Sequence, residues 1–208
     1  LSLTFPQEAK ADPTGFAYED EYAALLSRMV EKGVKSPDEG DFLGPVGYWQ
    51  DLWDRVSSTE TWEKMMNQAV LITKSTKEYD GSTGKTYALL TLSEGVAWLA
   101  FPGVSTDANL ESGSKGGFIT WPGHGNTDTG KDVQQYFYAE WKSLEAPVTQ
   151  WLNNNRSNFD KLIVTGHSKG GVLSQYFLAD YADDLSDKDI HFTAFGSPNG
   201  GSEAFIQE

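Results

Sequence analysis

The chain has 208 residues, of which 38% are apolar and 22% charged, and its 16 basic residues face 30 acidic ones for a net charge of −14. At roughly 150 residues per domain, that length predicts one globular domain with room for an appendage, and the apolar share excludes intrinsic disorder. The acidic balance excludes nucleic acid as a partner, because phosphates need a basic surface, and it disfavours docking on anionic lipid by charge alone. Cysteine is absent, so disulfides, zinc–thiolate sites and a thiol nucleophile are excluded as well. The three histidines, His124, His167 and His191, are far apart in sequence, and no metal site is expected from them. No window reaches the run of about 18 apolar residues that a spanning helix requires, which leaves only contact with a membrane surface open. No charged-then-apolar leader opens the chain, and a start at Leu1 implies processing or a missing upstream segment.

Helical periodicity dominates the first part. Residues 19–33 place Tyr22, Leu25, Leu26, Met29 and Val30 on one face, with Gly33 as the stop. Residues 34–47 are rich in Gly, Pro and Asp and predict a loop. A short helix follows over 48–56, with Trp49, Leu52, Trp53 and Val56 inward. Ser57 with Glu60 three residues on predicts a capping box that opens a helix carrying Trp62, Met65, Met66, Ala69 and Val70. The Trp and Met residues of this region predict core packing, with an apolar wall or lid for an acyl chain as the alternative.

From Lys85 the period changes. Residues 86–92 and 96–101 predict strands joined at Ser93-Glu94-Gly95. Residues 102–130 predict a glycine-rich loop with a short strand at 117–121. Residues 131–155 predict a long helix that Pro147 should kink or split. Strand 161–165, helix 172–182 and strand 190–195 then form a βαβ unit, hence a parallel sheet.

The turn inside that unit carries the chemistry. Gly166-His167-Ser168-Lys169-Gly170 is a G-x-S-x-G run between a strand and a helix, the context of a nucleophile elbow. A turn this tight forces Ser168 into a strained backbone conformation and leaves no space for side chains at Gly166 and Gly170. It lifts the Ser168 hydroxyl clear of the sheet and aims the Lys169 backbone N–H at developing negative charge.

Gly166-His-Ser-Lys-Gly-Gly171 followed by Thr193-Ala-Phe-Gly-Ser-Pro198 resembles the class 3 lipase family of α/β-hydrolases, whose elbow commonly reads GHSLGG before a strand ending in FGSP. Lys169 in place of Leu resembles a bacterial branch of that family. Ala100-Phe-Pro-Gly-Val104 is similar to the family's strand ending in FRGT, with Pro102 for Arg and Val104 for Thr. By that match the Val104 N–H is the second oxyanion donor. The resemblance covers 85–208. It implies an α/β-hydrolase fold with a mainly parallel sheet flanked by helices; the helical N-terminal region, 1–84, lies outside the resemblance, and its own periodicity predicts packing on the core or a role as wall or lid. The resemblance implies serine-dependent hydrolysis of carboxylic esters of lipid type, without metal or organic cofactor.

The family's chain order is Ser, then acid, then His. After Ser168 only His191 remains, and it begins a strand whose far end faces the active-site edge, so a structural role is expected for it. Asp180, Asp183, Asp184, Asp187 and Asp189 fall at the wrong edge and predict a solvated charge cluster. Glu203 can reach the right edge but matches no family acid, and His167 is structural in the family. His124, in a glycine-flanked loop, is a loop or substrate-side residue, with a role as substitute base as the lesser alternative. The expectation is that acid and base lie beyond residue 208, in a C-terminal part of the fold missing from this chain. A non-catalytic lipase-like scaffold, or a serine hydrolase of another class such as an acyltransferase, thioesterase or peptidase, are the alternatives. Gly81-Ser-Thr-Gly-Lys-Thr86 resembles a P-loop, but position 79 is Tyr and the order of elements is inverted, so nucleotide binding is not expected.

Overall fold

The computed structural model describes residues 19–33, 47–78, 80–104, 107–122 and 130–206. The 34–46 part of the expected loop and His124 lie outside them. Helix α1 (Glu19–Lys32) opens with three acidic residues, which its amino-terminal partial charge favours, and ends at Gly33 with φ +67°. Helix α2 is Gly47–Val56 and α3 is Glu60–Asn67. Thr59, rather than Ser57, caps α3: its Oγ1 accepts from the Trp62 N–H at 3.2 Å and meets Tyr22 Oη at 2.8 Å, which keys the cap to α1.

The helical reading of residue 70 is corrected by β1 (Val70–Lys77). Its β-branched Val, Ile and Thr residues favour a strand, and pairing along its whole length with β2 (Thr83–Ser93) overrides the remnant of helical spacing. The sheet therefore starts before residue 85. Glu94 and Gly95, both at positive φ, make the two-residue turn into β3 (Val96–Phe101). Helix α4 (Asp107–Lys115) occupies part of the stretch expected as loop. A small sheet joins β4 (Phe118–Thr120) to β5 (Asp132–Gln134), so helix α5 (Gln135–Asn155) starts later than its spacing suggests. The Gln134 side chain caps it through the Phe137 N–H. Pro147 does not split α5, because Trp141, Leu144, Val148 and Leu152 bury one continuous stripe across it.

Strand β6 (Lys161–His167), helix α6 (Lys169–Tyr181), strand β7 (Asp189–Phe195) and the short α7 (Glu203–Ile206) complete the order. The sheet runs β1-β2-β3-β6-β7 and β2 alone opposes the rest. Alternation sorts its residues: Val96, Trp98, Ala100 and Ile163 face α1–α3, whereas Ala97, Leu99, Phe101, Leu162 and Val164 face α5 and α6. Trp62 and Met65 are buried in the first layer, with Trp53 and Met66 packed beside them, so these residues are core. The Trp49 side chain lies outside the described part. No described helix is long and apolar enough to cross a membrane.

Candidate active site

The chain leaves β6 and enters α6 through Ser168 alone. Its backbone sits at φ 52°, ψ −118°, a conformation that costs a non-glycine residue on the order of 1–3 kcal/mol. Two hydrogen bonds hold the turn: the Ser168 N–H donates to Phe195 O at 2.8 Å, and the Gly171 N–H to Ser168 O at 3.0 Å. A Cβ on Gly166 would lie 2.2 Å from the Gly170 carbonyl carbon, and one on Gly170 would lie 2.2 Å from Phe101 O. Backbone blocks both positions, so only glycine fits without moving the turn. Phe101 and Pro102 thus rest directly against the elbow. Gly103 is close too: a Cβ there would come within 3.1 Å of His167 O. Val104, half-buried, follows at the carboxyl edge of the sheet. Half-buried Ser168, the first N–H of α6 and the Gly103 backbone therefore gather at that edge, with Val104 the next residue in the chain.

The Lys169 side chain turns inward. Its Nζ donates to Glu140 Oε1 at 3.0 Å and to Asn109 Oδ1 at 2.8 Å, and lies 2.9 Å from Glu140 Oε2. Both charged side chains are at most 2% exposed. Burial pushes the Glu140 carboxyl up, against the opposing pull of the Lys169 ammonium. The sequence points to Lys169 for its backbone N–H and as the residue in place of the family's Leu, and gives no role to Glu140 or Asn109. The readable signal was Glu140 on the apolar stripe of α5, three residues after Phe137 and four before Leu144.

The histidines are placed as follows. His167 is half-exposed, its Nδ1 3.2 Å from Glu31 Oε2. His191 pairs with Ile163 in the sheet register and contacts Glu19 and Asp189, both at 3.3 Å. Four residues separate it from Phe195, about 13 Å along the strand, so it lies toward the opposite edge from Ser168. Asp183, Asp184, Asp187 and Asp189 are exposed, and Asp187 pairs with Arg156 and Lys188. Asp180 departs from the expected solvated cluster: it is 5% exposed and accepts from the indole N–H groups of Trp121 at 2.9 Å and Trp141 at 2.7 Å. Two indole donors stabilise a carboxylate that water cannot reach. Glu203 is exposed at the start of α7.

A helix-flanked sheet whose parallel strands meet a strained Ser-bearing strand–helix turn defines an α/β-hydrolase fold. The class 3 lipase family model matches residues 100–208, more than half of the chain, and the chain belongs to that family. Solved structures agree on the fold. The Rhizomucor miehei triacylglyceride lipase is 18% identical with a TM-score of 0.59, over 95% of this chain and 67% of that one. A triacylglycerol lipase whose catalytic centre is described as a serine protease triad is 18% identical with a TM-score of 0.61, over the same shares. The lipase of Rhizopus microsporus var. chinensis is 17% identical with a TM-score of 0.56, over 90% and 59%. The chain spans about half to two thirds of the length of such lipases, 52% for a fungal lipase–inhibitor complex. No curated protein matches it significantly in sequence.

Proposed function

We propose that this chain carries the nucleophile half of a serine hydrolase that cleaves carboxylic esters of lipid type. The observation that carries the reading is Ser168, held at φ 52° between a parallel strand and the first turn of a 13-residue helix. In this reading Ser168 Oγ attacks the ester carbonyl and gives its proton to a histidine. The Lys169 and Val104 backbone N–H groups take up the oxyanion, and collapse expels the alcohol, which takes that proton. Water then releases the acid from the acyl-enzyme. Gly166 and Gly170 serve the geometry of the turn alone, and the chemistry requires no metal or cofactor.

His167 and His191 are committed elsewhere, so the base and its acid come from outside the described residues. That is consistent with a chain that spans only part of its lipase neighbours. Lipid esters are favoured by family membership, and contact with a lipid–water interface goes with such a substrate. The branch marked by Lys169 in the elbow belongs to the same reading. The test is intact-mass analysis of the full-length protein after a fluorophosphonate probe, beside Ser168→Ala, followed by an acyl panel running from short esters to triacylglycerol, thioester and amide. One Ser168-dependent adduct with turnover of esters supports the proposal. No adduct on the folded full-length chain leaves a scaffold.

A further inference from the structure

The Lys169 side chain has no part in the reaction sketched above, yet it ties three elements together at the elbow. Its ammonium sits between Glu140 of α5 and Asn109 of α4. The α4 helix follows Val104, the proposed second oxyanion donor, by only a few residues. It is pinned from the other side as well. Asn109 Nδ2 donates to Tyr136 Oη at 2.6 Å, Tyr136 Oη donates to Glu78 Oε2 at 2.6 Å, and Ser112 Oγ donates to the same oxygen at 2.7 Å. Asn109, Ser112, Glu78, Glu140 and Lys169 are all buried. A hydrophobic side chain at 169 could pack there but could not donate to Glu140 and Asn109, so it would remove the direct tie between the elbow and α4.

We propose that Lys169 is a positioning residue, whose buried ammonium, clamped between Glu140 and Asn109, fixes the two proposed oxyanion donors relative to each other. One donor is the N–H of Lys169 itself. The other lies on the segment that leads into α4. Oxyanion donors act only when preorganised at the developing charge, and small misplacements cost rate steeply. This inference rests on the nucleophile reading of Ser168 and adds a residue to it.

The test uses the full-length protein and the fluorophosphonate probe, with labelling rate measured against probe concentration. Lys169→Met combined with Glu140→Leu removes the two charges of the pair together and keeps the backbone N–H of residue 169, while buried Glu78 keeps its hydrogen bonds from Tyr136 and Ser112. A folded protein with a lowered melting temperature is expected, because buried Asn109 Oδ1 loses its donor. The maximal labelling rate is expected to fall about ten- to a hundredfold with little change in half-saturating concentration. Asn109→Ala provides the second variant: it keeps the ion pair and the Ser112–Glu78 bond but cuts the tie between Lys169 and α4, and it should lower the same maximal rate several-fold. A folded double variant, or a folded Asn109→Ala, that labels at the original rate overturns the positioning role and leaves Ser168 as nucleophile. No Ser168-dependent labelling of the unsubstituted protein overturns the nucleophile reading itself, and this inference with it.

Discussion

At the amino edge of the parallel strands, Lys161 meets Glu19 at 2.6 Å, and His191 lies 3.3 Å from that same Glu19 and 3.3 Å from Asp189. These groups are partly or largely open to water, and each has an alternative partner in solvent. At the carboxyl edge of the same strands, one residue is held in a disfavoured backbone conformation, two glycines are boxed in by backbone, and an ammonium and a carboxylate are shut away together. The sheet register runs unbroken between the two edges, from Lys161↔Asp189 to His167↔Phe195. One set of strands thus ends in a solvated surface on one side and, on the other, in a turn whose two glycines have no room for a side chain. The amino edge has its own positive-φ residue, Glu94, but there it makes an ordinary exposed hairpin turn, whereas at the carboxyl edge the positive φ of Ser168 comes with boxed-in glycines and a buried ion pair, which a fold carries where function demands it.

That contrast can be broken by substitution. The largest effect is expected from Gly170→Ala: its Cβ would meet Phe101 O at 2.2 Å, so β3 and the elbow must separate. Loss of several kcal/mol, read as failure to fold or a collapsed melting temperature, is expected, on the order of the worst core substitutions. Asp180→Leu comes next, because it removes the acceptor that the Trp121 and Trp141 indole N–H groups share, at about 1–3 kcal/mol for the fully buried Trp141. Chemical denaturation with tryptophan fluorescence measures it.

Alkaline pH gives a graded version. Burial raises the phenol groups of Tyr136, Tyr138, Tyr176 and Tyr181, so the fold favours their neutral forms. Their contribution is whole below the unfolded phenol value of about 10 and is lost as pH rises toward the folded values. A spectrophotometric titration should therefore show these phenols ionising above pH 10 together with loss of structure, not before it. The smallest effect is expected at the amino edge, where Lys161→Ala should cost about 1 kcal/mol or less in the same denaturation experiment. A loss there comparable to that at the elbow would remove the contrast.

The elbow was legible in the sequence because local sterics dictate it: a strand, a Ser between glycines and a helix suffice. Strand β3, the βαβ unit and the face of α1 were legible for the same reason, since each follows from its own periodicity. Strand β1 was not, because Val70 continues the helical spacing of Met65 and Met66, and only pairing with β2 decides against it. Strand β5 was hidden likewise by partners elsewhere in the chain. Asp180, Glu140 and Asn109 lay beyond a local reading: a charge looks solvated until the fold delivers two indoles or an ammonium to it. Glu140 at least stood on an apolar stripe, which is the pattern that flags a buried charge.

The central claim is that the hydroxyl at the strained turn is an activated nucleophile. The most direct measurement is the mass of the folded, full-length protein after exposure to a fluorophosphonate, with Ser168→Ala treated in parallel. The account predicts one adduct per chain, mapped to Ser168 and absent from the Ala variant. A folded full-length protein that stays unmodified, or is modified equally in the Ala variant, would contradict it.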